Sequence, residues 1–328
     1  MPHRILHIII ISIFISLGAL QSQNVHFSRY DFQPLLLNPA NNGSYLGSYR
    51  VTAIYRDQWA NLLPNRFSTP AISIDAPLGF SFREQDWIGV GVNFYQDRAG
   101  AGKLTTTGFN GYLSYHLALD KKQTNVLTIG LTGGSKTRKL GNVNDFIFED
   151  QTSGIGSLSL ESSGGTVFGA GILYKTSINE TDEFRFGVAA LNLLPLKYQL
   201  TNSSNEKEIP EFNIHAEGSF ELAEGLALEP AVVYQIKESM NLGYGQAKLA
   251  YSLDDDKNFR LVGGLGYRLG RAVQVLAGID YQGWRAGIGY DLNTDPLSPA
   301  QSFEIGMSYI GKIYKRPKVK EVILCPPF

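Results

Sequence analysis

Cysteine occurs once in the 328 residues, at Cys325. An internal disulfide framework and a thiolate zinc cluster are therefore excluded. Charge is also scarce: Asp, Glu, Lys and Arg make up 18%, against roughly 25% in a typical soluble domain. What charge there is sums to −1, so no basic surplus exists to grip nucleic acid and no acidic tail is present. Past residue 23 no run approaches the roughly 20 apolar residues that a spanning helix needs. G-x-S-x-G, H-E-x-x-H and a phosphate loop are all missing. No fixed-length repeat suggests a propeller or solenoid. What is plentiful is glycine (35 residues) and aromatic bulk (17 Tyr, 18 Phe), a composition suited to a large all-β protein and not to a helical bundle or a disordered chain.

The N-terminus has the three-part layout of a secretory signal peptide. Arg4, between His3 and His7, precedes an apolar run from Ile8 to Leu17, then small and polar residues up to Gln23. Residues 1–22 are read as the signal, cut after Ser22. The competing reading, a membrane anchor, is disfavoured because the run is too short to span. No cysteine follows it, so no lipoprotein is expected.

From Tyr49 onward, segments of alternating character are separated by turns. Leu261, Leu265, Tyr267 and Leu269 alternate with Val262, Gly264, Gly266 and Arg268; the next three segments behave alike. A period of two puts each set on one face of a strand. In those four segments the apolar faces carry no charge, while the opposite faces carry Arg268, Asp280, Arg285, Asp291 and Glu304. The whole chain reads as fourteen strands: 49–57, 68–77, 87–96, 105–119, 124–137, 164–179, 183–191, 209–221, 225–237, 239–252, 257–269, 272–281, 285–291 and 300–313.

A secreted β-sandwich and a transmembrane antiparallel β-barrel both alternate in this way. Three features favour the barrel. Many segments reach ten residues, where sandwich strands have nearer five or six. Tyrosine recurs near strand ends (Tyr55, Tyr115, Tyr174, Tyr234, Tyr251, Tyr267, Tyr281, Tyr290, Tyr309), as an interfacial girdle requires. With the first strand starting in the periplasm, the even connections are mostly tight and most odd ones are long. A barrel of about 14 strands over 49–313 is expected, with a strap or plug at 23–48 and a short periplasmic tail at 314–328. A Lys at Leu265 or Ile279, facing lipid, should impair assembly more than one at Gly266 or Gln274.

Candidate chemistry is thin. After signal removal the histidines are His26, His116 and His215; the last two fall on the lumen side. A barrel hydrolase or acyltransferase is conceivable, but solvated lumen histidines are the simpler expectation. Gly133-Gly134 and Gly164-Gly165 read as packing and curvature devices, and Asp254-Asp255-Asp256 as a solvated turn. No cofactor or metal is expected. The lumen-facing charges could line a pore. The strap carries Phe27, Tyr30, Phe32, Leu35, Leu36 and Leu37, which must be buried against something, and Pro34 and Pro39 prevent a long helix. In the long outward loops, Phe146, Ile147, Phe148 and Leu194 either contact a partner or pack down on the barrel rim.

The stretch HFSRYDFQPLLLNPA resembles the opening of the PorP/SprF family through His26, Phe27, Ser28, Tyr30, Leu37, Asn38, Pro39 and Ala40, with Gly43 nearby. Tyr55, Arg56, Gln58 and Trp59 are similar to its Tyr-Arg-x-Gln-Trp element. Asp75 sits in a matching Ser-Ile-Asp-Ala-Pro, and Cys325 and Pro326 resemble its Cys-Pro-x-aromatic ending, with Pro327 where a basic residue is commoner. The resemblance implies an outer-membrane barrel of the type IX secretion and gliding system, with no catalytic residues. Its implied partners are a secreted adhesin bearing a type IX C-terminal signal, periplasmic or lipoprotein components of the machinery, and outer-membrane lipid. A FadL-like or porin-like small-molecule channel is the alternative.

Overall fold

The computed structural model describes residues 26–58, 67–79, 82–99, 104–141, 162–179, 181–198, 206–237, 240–254, 258–294 and 301–313. Seven strands come first: β1 (Tyr49–Gln58), β2 (Phe67–Leu78), β3 (Trp87–Ala99), β4 (Leu104–Ala118), β5 (Asn125–Lys139), β6 (Ser162–Ser177) and β7 (Glu183–Leu191). A small ribbon follows, β8 (Lys197–Tyr198) with β9 (Glu206–Lys207). Seven more follow among the described residues: β10 (Glu211–Ala223), β11 (Leu226–Lys237), β12 (Met240–Ser252), β13 (Phe259–Arg268), β14 (Ala272–Tyr281), β15 (Trp284–Asn293) and β16 (Ser302–Gly311). The ribbon aside, fourteen antiparallel strands form one closed barrel, each beside its neighbour in sequence and β1 sealed onto β16. Among the described residues no helix is long and apolar enough to cross a membrane.

The period-two pattern becomes the inside–outside alternation of the wall. Leu265 and Ile279 point outward, 63% and 47% exposed, whereas Gln274, opposite Gly266 one step along from Leu265, is fully buried. Tyr55, Tyr234, Tyr267 and Tyr290 lie toward one end of their strands, and Tyr115, Tyr174, Tyr251, Tyr281 and Tyr309 toward the other, forming two girdles as the sequence predicts. One end is closed by tight turns. That between β14 and β15 is Gln282–Gly283, both at positive φ, the mirror-image turn whose twist matches a hairpin and which glycine enters at no steric cost. The other end carries the long connections, 140–161 and 192–210 among them. In outer-membrane barrels the tight turns are periplasmic and the long loops external, which defines inner and outer ends here.

The lumen is not an open pore. The segment before β1 runs through it as three single turns: Tyr30–Phe32, Pro34–Leu37 and Pro39–Asn41. Pro34 and Pro39 each open a turn, where a missing N–H costs nothing. Asn38 caps the last, accepting from the Ala40 N–H at 2.9 Å. Its apolar residues are buried in two clusters against the wall. Tyr30 and Leu37 meet Ala231, Val233, Leu242 and Tyr244; Phe27 and Phe32 meet Ile54, Ala71 and Tyr95. Each such side chain contributes roughly 1.5–3 kcal/mol relative to exposure.

Candidate functional site

The plug is held at three levels. At the inner end, Asp75 of β2 accepts from Arg50 (2.9 and 2.8 Å) and from the Gly43 N–H (2.8 Å). His116 of β4 donates to the Asn42 carbonyl (2.8 Å), accepts from Thr128 (2.8 Å) and stacks on Trp87 with centroids 4.6 Å apart. At mid-depth, the Asn38 amide donates to the carbonyls of Ile172 and Val188 (3.1 and 3.4 Å) and to His215 Nε2 (3.1 Å). Both lumen histidines are therefore almost fully buried and bonded to the plug. The expectation that they would be solvated fails because the plug covers them: His116 bonds the Asn42 carbonyl and His215 the Asn38 amide.

At the outer level four charges from four strands meet. Arg56 (β1) pairs with Glu304 (β16, 3.0 Å) and Asp291 (β15, 3.5 Å), and Arg268 (β13) with Asp291 (2.9 Å). The plug plugs into this set through backbone and hydroxyl. The Ser28 and Arg29 N–H groups donate to Glu304 (2.8 and 2.7 Å), Ser28 Oγ donates to Asp291 (2.9 Å), and Arg56 donates to the His26 carbonyl (2.6 Å). Two cations and two anions, all nearly inaccessible, balance each other, as buried charges must.

Glycines in the wall make room for these contacts. A Cβ on Gly171 or Gly187 would collide with the Asn38 amide, on Gly287 with the Arg29 guanidinium, on Gly306 with the Phe32 ring, and on Gly130 with the backbone of Pro39 and Ala40. Arg29 and Asn38 use one device. Each donates to the carbonyls of two cross-strand partners, Ala277 and Ile288 or Ile172 and Val188, across a glycine floor. The sequence marks Gly133-Gly134 and Gly164-Gly165 as packing and curvature devices; the signal for the plug-facing ones was their recurrence on the lumen-side parity.

Above the plug, part of the outer connection 192–210 folds inward. Leu196 and Tyr198 pack on Val167, with Leu196 seated over Gly165. Glu208 is pinned by Lys136 (3.2 Å) and Arg138 (3.5 Å) of β5 and by Lys237 (3.1 Å) of β11. Burial alone would raise its pKa, but these three cations together hold it down at about 2. This stretch is thus not the wholly outward loop that its length suggests: apolar residues and a triply paired carboxylate draw it onto the mouth. Leu194, beside it, stays 48% exposed. Toward the inner mouth lies a cavity of about 190 Å³ lined by Tyr30 and charged groups including Glu183, Arg185, Glu217, Glu229, Lys248 and Arg285. Among the described residues no group of three or more His, Cys, Asp and Glu could hold a metal ion.

Of the motif residues, His26, Phe27, Ser28, Tyr30, Leu37, Asn38, Pro39, Ala40, Arg56 and Asp75 come together in or around the plug. Tyr55 faces outward and Gln58 ends β1. Trp59, Phe146, Ile147, Phe148, Cys325 and Pro326 lie outside the described residues. Residues 19–309 match the family described as type IX secretion system membrane protein PorP/SprF. The chain belongs to that family.

This PorP/SprF barrel is similar in fold to several solved structures. The toluene transporter TbuX of Ralstonia pickettii has TM-score 0.54 at 8% identity, over 85% of this chain and 93% of that one. The monoaromatic hydrocarbon channel CymD has 0.52 at 10%, over 86% and 93%. The toluene transporter TodX of Pseudomonas putida has 0.52 at 9%, over 88% and 94%. At such identities the likeness shows the fold alone, an outer-membrane barrel. No curated protein sequence matches this chain closely enough to count as a relative.

Proposed function

We propose that this PorP/SprF barrel binds a secreted adhesin bearing a type IX C-terminal signal, helps export it or anchor it at the surface, and links to periplasmic or lipoprotein components of the machinery. The supporting observation is the occupied lumen: the plug is bonded to the wall at three depths, and the ribbon is drawn onto the outer mouth. A barrel filled in this way offers partners its two mouths rather than a path for solutes. Catalysis is not part of this reading. Ser114 and His116 lie 3.0 Å apart, but both are buried and both donate to the Asn42 carbonyl, so no substrate reaches them.

Purification of the tagged protein from its native outer membrane should bring down an adhesin, and deletion of its gene should release that adhesin or leave it undelivered while bulk type IX secretion persists. Planar-bilayer recordings should show no steady open-pore current. A steady current, together with a deletion that lowers only the uptake of a small solute, would replace this reading with that of a small-molecule channel.

A further inference from the structure

The inner half of the lumen is filled unevenly. The plug leaves it on one side, where Asn42 and Gly43 are held by His116 of β4 and Asp75 of β2. On the other side, inward of Tyr30 and Asp31, two cavities adjoin. One is the space of about 190 Å³ against Tyr30; the second, of about 250 Å³, shares Ser219 with it and extends to Thr181 and Gly225 at the inner rim. They exist because small side chains fall on the lumen-side parity here: Ser219 on β10, Ala227 on β11, Ala250 and Ser252 on β12. From Gly225 at the rim to Ala231 at the deep end is about six residues, or roughly 20 Å of strand. An extended segment of similar length spans the same depth.

Charge selects the segment. The cations around this vestibule are committed: Lys175 and Arg185 to Glu183, Arg260 and Arg285 to Asp280, and Lys248 to Glu229 (3.2 Å) and Asp31 (3.5 Å). Glu217 is different. Its ion pair with Arg185 is 3.9 Å long, that guanidinium already holds Glu183, and among the described residues Glu217 accepts no hydrogen bond. It lines the deeper cavity with 30% of its side chain exposed, close to Ser219 where the two cavities join. The described residues of the turns that frame the entrance, 178–182, 222–225 and 253–258, add Asp182, Glu224 and Asp254 and no Lys or Arg. A recess with an excess of one sign focuses the field and draws the opposite charge.

We propose that the inner vestibule is a socket for an extended, lysine- or arginine-bearing segment of a periplasmic protein, which enters end-on so that one of its cations reaches Glu217. The socket rests on the proposed link to periplasmic components and gives that link a site. A cation seated there is the close partner that Glu217 lacks, and away from bulk water such a pair is stronger. The end wall of the socket is the plug itself, through Tyr30 and Asp31.

Fluorescence anisotropy on the purified full-length protein in detergent tests this, with labelled hexalysine as the probe and labelled hexaglutamate as its opposite. Hexalysine is expected to saturate at one per barrel in low salt and to weaken as salt rises; hexaglutamate is expected not to bind. Glu217→Lys, and separately Ala227→Phe, which fills the vestibule without changing its charge, should each weaken hexalysine by about tenfold or more. Glu224→Lys, an exposed rim charge, should weaken it by less than about threefold. Heat-modifiable migration on gels confirms that each variant is folded, and either inner variant carries the test alone. Absence of hexalysine binding overturns the socket, as does equal binding of hexaglutamate. Binding that Glu217→Lys and Ala227→Phe leave intact is adsorption to the acidic rim and overturns it too. So does binding that appears only when Lys315→Gln, Arg316→Gln, Lys318→Gln and Lys320→Gln are combined, which assigns the vestibule to the chain's own tail. None of these readouts involves an adhesin, so failure of the socket leaves the adhesin reading to its own test, and failed adhesin capture leaves the socket standing.

Discussion

The amide of Asn38 occupies the space that a side chain on Gly171 would need. The same amide bonds the carbonyls of Ile172 and Val188, so one plug residue and one missing Cβ stitch the lumen filling to the barrel wall. Gly171→Val should therefore destabilise the folded barrel by about 1–3 kcal/mol through overpacking, and it should raise single-channel activity as the plug is displaced. Gly133→Ala, at an outward site with nothing within 4 Å, should stay within about 0.5 kcal/mol of wild type. Thermal melting in detergent and bilayer recordings check both; equal behaviour of the two variants would falsify the packing described.

The four-charge set predicts a non-additive response. Arg56→Met leaves Glu304 and Asp291 with one cation between them, and breaking such a buried set costs about 3–5 kcal/mol. Removing Glu304 as well, as Glu304→Met, restores neutrality with Arg268 and Asp291 still paired. Equilibrium unfolding of both single variants and the double variant should show a double cost below the sum of the singles, the mark of directly coupled neighbours.

Acid should loosen the outer ribbon. The pKa of Glu208 is depressed from its ordinary 4.5 to about 2, so its stabilisation is fully present above about pH 4.5 and is lost as pH falls through 2. The size is on the order of 3 kcal/mol. Pepsin nicking within 192–210 should rise between pH 4 and 2 in the wild type. In Glu208→Gln, which has no carboxylate to titrate, nicking should already be high at pH 4 and depend little on acidity beyond that of pepsin itself.

Lysine on either face of the wall should do harm, by different routes. At Leu265, facing outward, it should slow insertion into lipid vesicles, a midplane charge there costing about 2–4 kcal/mol. Alternation alone predicts that Gln274→Lys is the milder change. Yet Gln274 is fully buried and accepts from Gln246 (2.8 Å), which also donates to the Ser28 carbonyl (2.8 Å), so that variant should insert normally but lose plug order. Insertion kinetics and proteolysis of the plug separate the two effects.

Strand number, facing and the tyrosine girdles were legible in the sequence because each is a local, period-two property: a residue such as Leu265 declares its side by alternating with Gly264 and Gly266. The segment 183–191 is bounded as the structure bounds it, while 300–313 reaches past both ends of the strand Ser302–Gly311. The apolar strap announced that it needed burial. Its route could not be read, because Ser28 and Asn38 are fixed by residues more than a hundred positions away, Asp291, Glu304, Ile172 and Val188 among them, and no local pattern encodes those distances. The same holds for Glu208, whose three cations lie on β5 and β11. Sequence by itself determined a barrel with something to hide in its lumen. Closure of the wall decided which glycines would be floors and which histidines would be buried, because sealing β1 onto β16 encloses the lumen in which the plug meets them.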